Sequence, residues 1–244
     1  MKSGRPSCAA PIQAREAIHP GWTTRCDLIG AIADALMQRR IRLLLYINSP
    51  ILTRLGEDMR QRGLYQLTYS EEKFVEIHRQ VLSEIGSRCG QRLAGYWFDS
   101  WYQSLAAYPD VRIETIDEFC KTGNPARLTA FNFWVFPVLT RWQDYWAGEL
   151  NELHKPFQSR WIQHGPGKGF QAHGMLSMLP SWCHSKPGPI APPQFTADDL
   201  IASVKSNVEN QAVTTINTGI YQEGMIEESS RQTMLKLRQA IKGV

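Results

Sequence analysis

Gly95-Tyr96-Trp97-Phe98-Asp99-Ser100-Trp101-Tyr102 is the stretch on which the reading of this chain turns. It closes a short apolar run that begins at Leu93, and it delivers one carboxylate into a group of aromatic side chains. A carboxylate between Trp97 and Trp101 is costly in a core and useful in a sugar site. The flat C–H faces of a pyranose stack on Trp and Tyr rings, while carboxylates attack or protonate the glycosidic bond. In parallel α/β architectures, chemistry also collects at the carboxyl ends of strands. The same residues fit a plainer reading, in which Asp99 caps a helix or sits in a loop beside core aromatics.

Working upstream, Ser70 caps a helix whose apolar face is Phe74, His78, Val81, Leu82 and Ile85, and Gly86 and Gly90 end it. His78 falls on that face, which makes it a packed core histidine before it is a ligand. Residues 49–69 read as a loop with a short helix in it. Ile41 to Ile47 is almost wholly apolar, the pattern of a strand buried on both faces of a parallel sheet. It follows a helix that opens at Thr24-Arg25-Cys26-Asp27 and carries Leu28, Ile29, Ile32, Ala33 and Leu36. Residues 1–22, rich in Pro, Gly and Ala and without a period, read as an irregular leader.

Downstream, residues 113–120 are helical in pattern. Arg127 to Phe133 follows the turn Gly123-Asn124-Pro125 as a third strand. Residues 134–193 form a long aromatic region without a period, holding Trp142, Tyr145, Trp146, Trp161 and Trp182 with His154, His164, His173 and His184. Segments of this length usually carry function. The histidines show neither HxH nor HExxH spacing, so no metal site is expected. Thr196 caps a helix with Leu200, Ile201, Val204 and Val208 on its face, residues 212–217 form a last strand, and residues 227–241 a last helix. Helices and strands alternating through short links define an α/β chain, as in a barrel or an open parallel sheet. No boundary interrupts residues 23–244, which read as one domain.

Composition narrows the function. Lys and Arg number 27 against 23 Asp and Glu, a formal charge of +4 with no basic run, so nucleic acid is not expected as a partner. No apolar run approaches the ~20 residues that cross a bilayer, and the first twenty residues lack the apolar core of a signal peptide. The cellular location stays open. The five cysteines, odd in number and without a CxxC pair, read as free thiols. No cofactor is implied.

The ordered pieces resemble the family 29 glycoside hydrolases, the α-L-fucosidases. Residues 24–46, TRCDLIGAIADALMQRRIRLLLY, are similar to that family's R-D-l-v-g-e-l segment and the strand after it. GYWFDSWYQ is similar to its strand ending W-F-D-G, LTAFNFW to the next strand ending Asn-Arg, and residues 212–242 to its closing strand and helix. The resemblance covers residues 20–243 and implies an imperfect (β/α)8 barrel, present here as an incomplete TIM-like barrel. The family's F-x-H-W-G and H-H-D-G-F motifs have no counterpart before Thr23, so about three βα units are expected to be missing. Phe133 stands where the family has Arg, and Ser100 where it has Gly. A barrel short of strands leaves edges and apolar faces uncovered, which implies an oligomer or a missing segment as partner.

The resemblance makes Asp99 the nucleophile of a retaining reaction and Glu149, in Trp146-Ala147-Gly148-Glu149, the acid/base. Glu149 also fits a solvated loop acid, and Glu114, Glu118 and Glu152 are rivals, the first two more simply the exposed side of a helix. The candidate sugar contacts are Trp97, Trp101, Asn132, Trp146, His173 and Trp182, and the expected substrate is a fucosylated glycan cleaved at a terminal α-L-fucosyl residue, by a chain that as an incomplete barrel is expected to be weakly active or inactive. Two other classes stay open: a non-catalytic carbohydrate-binding remnant, and an unrelated α/β-barrel enzyme acting on a small metabolite.

Overall fold

The computed structural model describes residues 10–18, 20–21, 23–48, 69–134, 140–150, 153, 156–165, 167–184 and 187–242. The expected loop with a short helix at 49–69 lies outside these residues except for Tyr69. Two compact units are present, residues 1–144 and 145–244, although the sequence shows no boundary between them.

The first unit contains α1 (Gln13–Ile18), α2 (Leu28–Gln38), β1 (Leu43–Asn48), α3 (Glu71–Cys89), β2 (Leu93–Asp99), α4 (Trp101–Ala107), α5 (Ile113–Cys120) and β3 (Leu128–Phe131). The strands form a parallel sheet in the order β1-β2-β3. Helix α3 begins where Ser70 accepts a hydrogen bond from the Lys73 N–H, with Glu71 and Glu72 in the positively polarised first turn. It buries Phe74, Ile77, His78, Val81, Leu82, Ile85 and Cys89 along one face. Burying that much aliphatic surface is worth roughly 2 kcal/mol per large side chain. Beneath it, β2 is buried at Leu93, Tyr96, Trp97 and Phe98, as expected of a central parallel strand. The expectation for β1 is corrected. Leu44 is 43% exposed and Tyr46 57%, because among the described residues β1 pairs only with β2 and its alternate side chains face outward.

The stretch read as an irregular leader contains α1, whose Gln13 and Ala14 N–H groups donate to the Glu84 carboxylate of α3. Ala10 and Ile12 are fully packed into the same core. At the amino end of β3, the buried Arg127 guanidinium donates to the carbonyls of Gly86, Gly90, Leu93, Cys120 and Thr122. It thereby closes the carboxyl ends of α3 and α5, where a cation suits the helix dipoles. Close approach fixes Gly86, since a Cβ there would lie 2.5 Å from the Thr122 carbonyl oxygen.

The second unit contains β4 (Glu149–Leu150), β5 (His173–Ser177), α6 (Ala197–Glu209), β6 (Val213–Asn217) and α7 (Glu228–Ile241). Its strands are also parallel, in the order β4-β5-β6. Thr196 and Asp199 form a capping box at the start of α6, which packs on α7 and β6. Strands β4 and β5 lie inside the region read as irregular. The described residues therefore form a mixed α/β protein with two parallel sheets. No helix among the described residues is long and apolar enough to cross a membrane. Cys26, Cys89, Cys120 and Cys183 are free, and Cys8 lies outside the described residues.

His78 is fully buried between Phe74 and Trp101, with Nδ1 on the Phe74 carbonyl. Burial pushes its pKa from 6.5 down to about 4. The unfolded chain therefore binds the proton first, and His78 stabilises the fold fully above about pH 6.5 and progressively less down to pH 4. Between pH 7 and pH 4 the wild type is expected to lose about 3 kcal/mol more stability than a His78→Leu variant, read by urea denaturation at each pH. Parallel pH profiles for the two proteins would contradict this.

Candidate functional site

Strand register builds the site. Asn48 is paired with Asp99 and Phe98 with Phe131, so three parallel strands end at one level. Tyr46 and Asn48, two residues apart on β1, point to the same face. The Asp99 Oδ2 atom accepts from the Tyr46 hydroxyl at 2.6 Å and the Asn48 Nδ2 at 3.3 Å. Its Oδ1 atom accepts from the Ser100 N–H at 2.7 Å and the Asn132 Nδ2 at 3.1 Å. A carboxylate with four donors around it is strongly oriented.

Asn132 is itself held on both sides. Its N–H donates to the Phe98 carbonyl, its carbonyl accepts from the Trp101 N–H, and its Oδ1 accepts from the Trp134 N–H at 2.9 Å. Only 2% of its surface is exposed. The Tyr46 ring stacks on Trp97 at 5.6 Å between centroids, so an exposed phenol covers a buried indole beside the acid. Tyr102 and Trp134 form a second aromatic pair, 5.7 Å apart, with Trp134 53% exposed.

Two expected sugar contacts take other places. Trp101 is fully buried and packs on Phe74, His78, Phe98 and Phe131, because the first turn of α4 points it into the core. It is a core residue and not a stacking platform. His173 is 3% exposed and uses both ring nitrogens within the second unit, Nδ1 on the Trp146 carbonyl at 2.9 Å and Nε2 on the Thr215 hydroxyl at 2.8 Å. A carbonyl only accepts, so Nδ1 carries a proton. The ring ties the segment before β4 to β6.

The remaining candidates also lie in the second unit. Glu149 is half-buried at the start of β4, opposite Met175. Gly148, at φ +54°, is required before it, since a Cβ there would lie 2.0 Å from the His173 carbonyl oxygen. Trp146 is half-buried, and its N–H donates to the Gln171 carbonyl. Trp182 is half-buried and its carbonyl accepts from Asn217 at the end of β6. Of the rivals, Glu114 is paired with Arg112, Glu118 is exposed on α5, and Glu152 lies outside the described residues. Phe133 is buried in the core and brings no charge to Asp99. Tyr46, Asn48, Tyr102 and Trp134 are the site residues that the sequence reading left out.

No protein-family model matches the sequence, and no curated protein matches it. Solved structures do match. An endo-fucoidan hydrolase from glycoside hydrolase family 107 superposes with a TM-score of 0.67 at 14% identity, over 95% of this chain and 54% of that one. A second endo-fucoidan hydrolase of that family gives 0.67 at 16% identity, over 92% and 73%. The α-L-fucosidase AlfC from Lactobacillus casei, in complex with α-L-fucose, gives 0.58 at 14% identity, over 95% and 70%. The chain thus shares its fold with family 107 endo-fucoidan hydrolases and with an α-L-fucosidase of known structure. It spans about half the length of two of the endo-fucoidan hydrolases it matches, 54% and 45%.

Ser100 follows Asp99 in the left-handed region at φ +55°. That conformation costs a side-chain-bearing residue roughly 1–2 kcal/mol, against roughly 0.5–1 kcal/mol of extra chain entropy for glycine. The steric cost is the larger, so Ser100→Gly is expected to raise stability by about 0.5–1 kcal/mol, read by thermal or urea unfolding. A variant less stable than wild type would show that the Ser100 side chain supports the turn.

Proposed function

We propose that the chain is a retaining glycoside hydrolase acting on α-L-fucosyl linkages, with Asp99 as nucleophile and Glu149 as acid/base. The observation that carries the reading is the Asp99 carboxylate at the end of the central parallel strand, oriented by Tyr46, Asn48, Ser100 and Asn132. The fold shared with fucosidases and endo-fucoidan hydrolases supports the substrate class. The β1-α3-β2 and β5-α6-β6 segments are parallel βα units of the kind a (β/α)8 barrel uses. The ordered likeness of residues 24–46, 95–103, 128–134 and 212–242 to family 29 favours that family within the shared fold.

In this mechanism Oδ1 stays on Ser100 and Asn132, and Oδ2 attacks the anomeric carbon. The glycosidic bond breaks and its oxygen takes the proton from Glu149. The Tyr46 hydroxyl, which donates to Oδ2, is placed to follow charge as it leaves that oxygen. Water, deprotonated by Glu149, then attacks the glycosyl ester and frees fucose with its original configuration and Asp99 as a carboxylate. Trp97, Asn132, Trp146 and Trp182 complete the proposed contacts with the sugar.

A second reading, binding without cleavage, is favoured by Phe133, which leaves an apolar side chain where the resembling family has an arginine. Titration with L-fucose separates the two: binding with no turnover of an aryl α-L-fucoside supports the second. Under the first reading, Asp99→Ala lowers turnover about 10⁴-fold or more, and azide partly restores it as the β-fucosyl azide. Glu149→Ala with azide yields the α-fucosyl azide instead. Unchanged activity in Asp99→Ala would remove Asp99 from the chemistry.

A further inference from the structure

Beside the proposed nucleophile lies an aromatic pair that the mechanism does not use. Trp134 is 53% exposed and sits 5.7 Å from Tyr102, centroid to centroid, with the rings inclined at 38°. Single exposed aromatics are common and need no explanation. This pair differs in how it is tied down. The Asn132 amide donates to Asp99 Oδ1 through Nδ2 and accepts the Trp134 N–H through Oδ1, so one buried side chain sets both the carboxylate and the turn that carries the indole. That turn holds Trp134 at φ +53°, a conformation costly for a bulky residue. Tyr102 comes from the other side, on the first turn of α4, directly after the buried Trp101.

We infer that Tyr102 and Trp134 form a stacking shelf for a second pyranose ring, adjoining the fucosyl unit whose anomeric carbon meets Asp99. The inference rests on the glycosidase reading for the position of the first ring. The shelf supplies apolar ring faces, which match the C–H face of a neutral sugar. It therefore recognises the neighbouring unit of the chain and leaves the fucose itself to the Asp99 side.

The test is calorimetric titration of the full chain with L-fucose and with a sulfur-linked α-L-fucosyl disaccharide, which binds without being cleaved. Trp134→Ala is expected to weaken the disaccharide about tenfold and to change fucose less than twofold, while Trp134→Phe keeps most of the affinity. Equal effects on both ligands, no effect on either, or no binding of either by the wild type would overturn the shelf. Azide rescue of Asp99→Ala reads the nucleophile separately. A Trp134 effect confined to the disaccharide, with Asp99→Ala fully active, would leave the shelf standing without that nucleophile.

Discussion

The parallel pairing of β1, β2 and β3 is the constraint from which the site follows. It ends the three strands together, so that side chains from Tyr46, Asn48 and Asn132 converge on the carboxylate that terminates the middle strand. A slip of one residue in β1 would turn Tyr46 and Asn48 to the opposite face and strip Oδ2 of both donors. Asn132 then relays the same order outward, to the backbone of Trp101 and of Trp134.

Strand β2 is anchored at its other end by a different device. Arg127 is wholly buried and donates to five backbone carbonyls, among them that of Leu93, the first residue of β2. A buried guanidinium is tolerated only when its donors are satisfied, and the carboxyl ends of α3 and α5 provide acceptors with the right polarity. Packing of α3 on α5, close enough to require Gly86, holds those carbonyls in place. The acid at the top of β2 is thus positioned by a strand whose foot is fixed by helix ends.

Much of this was legible in the residues. The strong helical periods of α2, α3 and α6, the apolar run of β2 and the place of His78 in the core follow from spacing alone. Asp99 stood out because an acid ends an apolar strand, and Asn132 because its strand resembles one of family 29. Strand β5 was not legible, since His173-Gly174-Met175-Leu176-Ser177 contains no β-branched residue and owes its form to β6 beside it. Trp101 misled because a tryptophan next to an acid looks alike in a site and in a core, and only the turn of α4 decides. Tyr46 and Asn48 depend on register, which no local pattern encodes. The histidine candidate failed for a related reason: His173 bonds Thr215, a partner forty-two residues away.

The central claim, that Asp99 forms a covalent bond with fucose, is tested most directly by trapping. Incubation with 2-deoxy-2-fluoro-α-L-fucosyl fluoride slows release of the glycosyl ester, and peptide mass spectrometry then locates the label. The account predicts one fluorofucosyl adduct per chain, on the peptide containing Asp99 and absent from Asp99→Ala. A label on a different carboxylate, with Asp99 unmodified, would contradict it.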